Sequence, residues 1–363
     1  MSGPGRILLV AGGTGGHILP AAAFGDWIGR NQPDVVVKYM SGRRPLELEI
    51  YRAMKIEPRI VSMDGSPLGA PAGKKISRWM DLLRALVEAW AILRDERPEL
   101  CVLFGGYPSA VALAVAMIRK IPLVAHEQNA LAGRATRLAR RAGVAVTSGW
   151  DVCHPLKAGS YARVGVPVRP FKGMDKKTAL EKLGLSRLSH KKRTVGVMTG
   201  SLGSGGLAET VKRLAGLEEF AAWNFFMINP ETESVSKISP NLFYLPKMWD
   251  IAPLFNASDI LVTRGGASTL SEVEASGIPA VVVPWSKATS DHQMNNAREL
   301  AKGGKIEIWD ERGDAGDFAA KLRNLGRSCP PLRGDIGKKM YNASGNISGR
   351  LWNVCCHLQE GRD

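Results

Sequence analysis

The stretch ILLVAGGTGGHILPA, Ile7 to Ala21, carries a short apolar run into a loop of four glycines, then one histidine, His17, then sequence of helical character. Strand, glycine loop and helix in that order form the repeating unit of a doubly wound α/β sheet. The rhythm continues outward. RILLVAG predicts a strand and residues 18–30 a helix, VVVKYM a strand and 45–54 a helix, then RIVSM a short strand and 76–95 a strongly periodic helix. LCVLFGG, 109–119, PLVAHEQ, 131–142 and GVAVTS extend the alternation. Continuous apolar strands between helices indicate a parallel sheet covered on both faces. Residues 166–193 break the pattern with prolines and basic residues. It restarts at TVGVMTGS, with helices over 207–221, 250–257, 268–276 and 291–302 and strands NFFMI, NLFYL, DILVTRGG, AVVVPW and KIEIW, and closes with helical stretches 314–325 and 335–358. The expectation is a first domain over 1–165, a linker over 166–193, a second domain over 194–340 and a last helix over 341–363.

The chain has 363 residues, 45% of them hydrophobic, and a net charge of +15 that leans towards the N-terminal half. A basic surface attracts nucleic acid, anionic lipid or a phosphorylated substrate. No zinc finger, aromatic RNA-binding signature or long basic block accompanies the charge, so nucleic acid is not expected as a partner. Five cysteines without metal-site spacing read as free thiols of a reducing compartment. Leu100 to Ile118 is uncharged, but Gly105-Gly106-Tyr107-Pro108 interrupts it. It reads as strand, loop and helix, not as a membrane span. No signal peptide is read at the N-terminus, and a soluble or peripheral protein is expected.

Three glycine loops follow strands: Gly12 to Gly16, Gly105 to Tyr107 and Gly200 to Gly206. Such loops let backbone N–H groups approach phosphates at helix N-termini. The run Gly13-Thr14-Gly15-Gly16-His17-Ile18 lacks the last glycine of the dinucleotide fingerprint, and Ser41-Gly42-Arg43-Arg44 stands where an acidic residue would bind ribose. An NADP enzyme using those arginines is an alternative. His17 sits where a helix begins; the dipole there disfavours imidazolium and suits a neutral base, with a capping histidine as the other reading. AHEQN, Ala125 to Asn129, ends a strand, either lining a cleft or bracing loops. TRGGASTLSEVEASGIPAVVVPW, Thr263 to Trp285, places Thr269 and Glu272 on the first turn of a helix, and Asp291-His292-Gln293 opens the next. Glu272 there either stabilises the dipole or accepts hydrogen bonds from ribose hydroxyls.

GGTGGH, GGYPS, HEQNALAG, GVPVR, GSLG, RGGASTLSEVEASGIPAVVVP and DHQMNNA occur between residues 12 and 297 in the order found in the MurG family of bacterial peptidoglycan glycosyltransferases. The chain resembles that family. The resemblance implies the GT-B fold: two doubly wound Rossmann-like domains, a cleft between them and a C-terminal helix crossing back to the first. It implies inverting, metal-independent transfer of N-acetylglucosamine from UDP-N-acetylglucosamine to the C4 hydroxyl of lipid-linked muramoyl-pentapeptide, lipid I, with no cofactor. His17, Glu127 and Tyr107 would be the catalytic set. Thr14, Gly15, Gly16, His126 and Asn129 would hold the acceptor diphosphate. Arg169, Ser201, Met248, Arg264, Thr269, Glu272, His292 and Gln293 would hold the donor. Pro108, Thr136, Val166, Lys247 and the Gly265-Gly266 pair depart from the family pattern and put local geometry in question. A related enzyme glycosylating another lipid such as diacylglycerol, and a non-catalytic membrane-binding paralogue, are the other readings.

A lipid-linked acceptor implies a peripheral enzyme at the cytoplasmic face of the cell membrane, with proteins of cell-wall synthesis as candidate partners. The helix KKISRWMDLLRALVEAWAILR offers a contact: Ile76, Trp79, Met80, Leu83, Leu86, Val87 and Trp90 follow helical spacing, flanked by Lys74, Lys75, Arg78 and Arg84, with Met117, Arg119 and Lys120 extending the patch. Packing of that whole stripe into the core is the alternative.

Overall fold

The computed structural model describes residues 3–65, 75–199, 205–285, 291–328 and 335–360, which form two compact units. Unit 1 comprises residues 1–169 and 344–363, and unit 2 residues 170–343.

Unit 1 holds strands β1 (Arg6–Ala11), β2 (Val36–Ser41), β3 (Arg59–Ile60), β4 (Leu100–Gly105), β5 (Leu123–Glu127), β6 (Ala145–Ser148) and β7 (Ala162–Arg163). All pair in parallel, in the order β3-β2-β1-β4-β5-β6-β7. Helices α1 (Gly15–Asn31), α2 (Pro45–Ala53), α3 (Lys75–Glu96), α4 (Tyr107–Ile118) and α5 (Arg134–Arg141) connect them. The strands are continuous apolar runs because both faces are covered. Leu8 and Val10 share one core with Ala89, Leu93, Ala112 and Ala116, while Leu9 on the other face lies close to Gly25 of α1. The strand order reverses between β1 and β4, the position where open α/β sheets bind ligands. The β1–β4 register slips there, Val10 facing Leu103 but Ala11 facing Gly105, and both glycine loops leave the sheet at that irregularity.

Unit 2 repeats the plan with α6 (Lys176–Lys182), β8 (Thr194–Met198), α7 (Gly205–Ala215), β9 (Asn224–Ile228), β10 (Ser236–Lys237), β11 (Leu242–Leu245), α8 (Ala252–Ala257), β12 (Ile260–Thr263), α9 (Ala267–Ser276), β13 (Ala280–Val282), α10 (His292–Ala301), β14 (Ile306–Ile308), α11 (Ala315–Ser328) and α12 (Ile336–Glu360). The order is β10-β11-β9-β8-β12-β13-β14, antiparallel only at β10–β11, with the reversal between β8 and β12. The core gathers Val195, Val197, Phe225, Val262 and a Trp309–Phe318 stack with centroids 4.6 Å apart.

The polar stretch read as a linker carries a helix. Asp175 caps α6 by accepting from the Thr178 amide at 2.8 Å, and Lys176 pairs with Asp259 at 2.6 Å. The final helix α12 runs 25 residues, and from Ser344 onward they count with unit 1, where Trp352 packs against Trp27. Among the described residues no helix is long and apolar enough to cross a membrane.

Candidate active site

In unit 1 the two glycine loops at the reversal lie against each other. Gly106 has φ +79, and a Cβ on it would collide with the carbonyl of Gly12. Gly105 has φ +104, and a Cβ on it would come within 2.9 Å of the His17 ring. Glycine at these two positions therefore lets the imidazole lie directly on the end of β4. His17 lines a cavity of about 640 Å³ with Gly105, Gly106, Tyr107, Glu127 and α5. Its Nδ1 is 2.8 Å from Oε1 of Gln128, whose amide nitrogen donates to the His126 carbonyl at 2.8 Å. The amides of Thr14, Gly15 and Gly16 have no protein partner among the described residues, so the start of α1 presents unfilled donors beside the ring. The Gly13 amide is different, because it donates to the buried carboxylate of Glu47.

Glu47 is a residue the sequence reading passed over. It is fully buried and also accepts from the Arg44 amide at 2.9 Å and the Tyr107 hydroxyl at 2.6 Å. Tyr107 is thereby a proton donor to Glu47: burial and the adjacent carboxylate push its pKa up, out of reach of ionisation. The Arg44 guanidinium lies 5.0 Å from the centre of the Tyr107 ring.

Glu127 lines the cavity, but its carboxylate is occupied. One oxygen accepts from the amide and side chain of Asn129, both at 3.0 Å, and the other from the Gly133 amide at 2.8 Å and Thr136 Oγ1 at 2.5 Å. Four donors fill a carboxylate's acceptor positions, so Glu127 braces the loop between β5 and α5 and has no position left for a substrate proton. Thr136 supplies one of these bonds through its hydroxyl. His126 points the other way. It is 1% exposed, bonds Thr147 Oγ1 at 2.9 Å and packs edge-on against Phe104. Burial lowers its pKa to about 3, so it stays neutral beneath the loop and is not presented to an acceptor diphosphate. Pro108 falls within the first turn of α4, where proline fits, and fills the space above Gly12. Val166 is buried against Gly149.

One wall of the cavity is α5, RATRLARR. Arg134, Arg137 and Arg141, at i, i+3 and i+7, line it and are exposed, with no ion-pair partner among the described residues. They run about 10 Å along the helix at 1.5 Å per residue. That spacing was visible in the sequence; its direction towards His17 was not.

In unit 2, Ser201 and the loop over 200–204 lie outside the described residues. Arg264 is not open to a ligand: it is buried and held in a two-pronged pair with Glu311 at 2.9 and 3.0 Å. Glu272 is buried on the second turn of α9, not the first, because the helix starts at Ala267. Half-buried Thr269 is on the first turn, and the amides of Ala267, Ser268 and Thr269 have no partner among the described residues. Gln293 Oε1 accepts from the amides of Gly265 at 3.1 Å and Trp285 at 2.9 Å, and its amide nitrogen has no partner among the described residues. A Cβ on Gly265 would meet the Gln293 backbone, which explains the small residue there. His292 precedes it at the start of α10, its Nδ1 buried with no partner among the described residues. Met248 is half-buried in the loop after β11, next to Lys247, whose ammonium lies 4.8 Å from the Trp249 ring centre. Arg169 ends the first segment of unit 1. No group of three or more His, Cys, Asp or Glu among the described residues could hold a metal ion.

Helix α3 is apolar on two sides. Ala85, Ala89, Ile92 and Leu93 are buried, with Leu82 and Leu86 packed on the same core. Trp79, Met80, Leu83, Val87 and Trp90 face outward, 42–70% exposed, and Met117 and Ile118 of α4 are exposed as well. The Ile76 and Lys75 side chains and Lys74 lie outside the described residues. Of the predicted basic flank, Arg78 pairs with Asp64 and Arg84 with Glu88, while the Arg119 guanidinium lies 5.0 Å from the Trp90 ring centre.

Two α/β units of one plan belong to a two-domain glycosyltransferase: residues 7–146 match the glycosyltransferase family 28 N-terminal domain and residues 194–324 its C-terminal domain. The chain is 30% identical to the UDP-N-acetylglucosamine--N-acetylmuramyl-(pentapeptide) pyrophosphoryl-undecaprenol N-acetylglucosamine transferase of Anaeromyxobacter sp. (strain Fw109-5) in an alignment of 376 positions, gaps included, that covers 98% of this chain and 94% of that one. It is 31% identical to the enzyme of the same name from Desulforudis audaxviator, over 82% of this chain and 83% of that one. The crystal structure of Acinetobacter baumannii MurG superposes with a TM-score of 0.69 at 22% identity, covering 97% of this chain and 99% of that one. The chain belongs to the MurG family of N-acetylglucosaminyltransferases. The NADP-dependent alternative falls with that membership.

Proposed function

We propose that this chain transfers N-acetylglucosamine from UDP-N-acetylglucosamine to the C4 hydroxyl of lipid-linked muramoyl-pentapeptide, with inversion at the anomeric carbon. The observation that carries the reading is the near full-length similarity to transferases named for that donor and acceptor. The site chemistry is consistent with it. His17 takes the proton of the attacking hydroxyl through Nε2. The open amides at the start of α1 and the arginine wall of α5 attract the acceptor's diphosphate. In unit 2 the amides of Ala267 to Thr269 and the Gln293 amide nitrogen face the donor, and the dipole of α9 stabilises charge on the departing UDP. The outward face of α3 with the end of α4 rests on an anionic membrane, at its cytoplasmic side, where the acceptor's lipid is anchored. A turnover assay with a lipid I analogue tests the reaction. Wild type is expected to form the disaccharide product and His17→Ala to lose at least about a hundredfold in kcat. Full turnover by His17→Ala would remove the base assignment, and no product with wild type would remove the reaction.

A further inference from the structure

We infer that Gln128 is a positioning residue that holds His17 in the tautomer protonated on Nδ1 and so keeps a lone pair on Nε2. The inference builds on the proposal that His17 is the base. A peptide carbonyl only accepts hydrogen bonds, so the Gln128 group 2.8 Å from the His126 carbonyl is the NH2. The amide oxygen is then the group 2.8 Å from His17 Nδ1, and an amide oxygen also only accepts. The proton of this bond therefore belongs to Nδ1. A neutral imidazole carries one N–H, which leaves Nε2 as the acceptor.

The lock is stiff. Gln128 is 1% exposed, and its own carbonyl accepts from the Trp150 indole N–H at 2.7 Å. Turning the amide over would set oxygen against the His126 carbonyl. Turning the imidazole over would replace Nδ1 by a carbon and forfeit the bond to the Gln128 oxygen. Nε2 has no protein partner among the described residues, and the ring lines the cavity. In the reaction the hydroxyl proton passes to Nε2 while the hydroxyl oxygen's electron pair bonds to the anomeric carbon. The bond from that carbon to UDP breaks, its pair leaving with the diphosphate. The imidazolium that results keeps its Nδ1–H bond to the Gln128 oxygen. With the opposite tautomer Nε2 would already carry a proton and could accept none. Gln128 thus does for His17 what a carboxylate does in hydrolase triads, with a neutral group that leaves the imidazole's charge state to its surroundings.

Long-range ¹H–¹⁵N correlation of the histidine rings in the full-length enzyme reads the tautomer directly, with His17 assigned by the signal lost in His17→Asn. Wild type is expected to show Nδ1–H. Gln128→Leu is expected to move His17 towards Nε2–H and to lower kcat about a hundredfold, leaving KM for UDP-N-acetylglucosamine unchanged. The tautomer of the wild-type ring is read without any variant at residue 128, which preserves the test if the leucine variant does not fold. An Nε2–H signal in wild type, or an unmoved tautomer in a folded Gln128→Leu enzyme, overturns the inference. If the tautomer responds as expected but His17→Ala turns over normally, the positional lock stands and the base role of His17 fails.

Discussion

Glu47 ties together three parts of unit 1 that the chain supplies far apart: the Gly13 amide, the Arg44 amide and the Tyr107 hydroxyl. A fully buried carboxylate is tolerated only when donors fill it, and removing it strands all three. Glu47→Ala is expected to cost about 3 kcal/mol, read as a shift in urea midpoint; a loss below about 1 kcal/mol would show that the loops hold without it. His126 makes the opposite kind of contribution. Its pKa falls from 6.5 to about 3 because burial penalises the charged ring. The unfolded chain therefore binds a proton between those values that the folded chain does not. Stability from this residue is complete above about pH 6.5 and drains away as the pH falls towards 3, amounting to about 3 kcal/mol lost by about pH 4.5. His126→Phe should lose about 1 kcal/mol at neutral pH with the Thr147 bond, yet decline less steeply into acid. Urea midpoints at the two pH values check this, and parallel acid limbs for variant and wild type would contradict it.

Helix α3 presents an apolar outer face and α5 a basic one, and the roles proposed for them towards a lipid-linked substrate can be read out separately. Each large side chain on the outer face of α3 is worth about 1.5–3 kcal/mol when withdrawn from water. Trp79→Ser with Leu83→Ser should therefore weaken flotation with anionic vesicles more than tenfold while turnover of a short-chain, detergent-soluble acceptor is kept. Alanine at Arg134, Arg137 and Arg141 should do the reverse for the soluble acceptor, raising its KM and weakening the salt dependence of binding with little effect on KM for the donor. If both sets act only on vesicles, the arginine wall belongs to the membrane contact and not to the acceptor. The sheets behind these helices were legible in the sequence because strands buried on both faces read as unbroken apolar runs, as in RILLVA and LCVLFG. Helix α6 was not, since seven residues give too little periodicity to separate from a polar linker. The site was legible as motifs but not as orientations. Adjacent residues on β5 point to opposite faces, which sends His126 under the loop and Glu127 into a brace. The side chains that occupy Glu47 and Arg264, Tyr107 and Glu311, stand 60 and 47 residues away, where spacing says nothing.

At the scale of the whole chain, two units of the same plan offer two helix N-termini with unfilled amides, at α1 in one and α9 in the other, and both suit a phosphate equally well. What separates them chemically is their surroundings. The start of α1 adjoins the His17 imidazole and a row of arginines with no ion-pair partner among the described residues. The start of α9 adjoins the amide nitrogen of Gln293, and the nearby arginine is neutralised by Glu311. A site whose nearby arginine is neutralised suits a ligand that must arrive as UDP-sugar and leave as UDP, because a fixed cation would retain the more highly charged product. The donor should therefore act on unit 2 alone. At a hundred times its Kd, UDP adds about 2.7 kcal/mol to the unit that binds it. Hydrogen exchange followed by mass spectrometry should show slower exchange in peptides spanning β12 and α9 on addition of UDP or UDP-N-acetylglucosamine. NADPH should give no such change, and peptides spanning residues 12–18 should exchange as before. Protection at 12–18 with none at α9 would exchange the roles of the two units and move the nucleotide to the loop that holds His17.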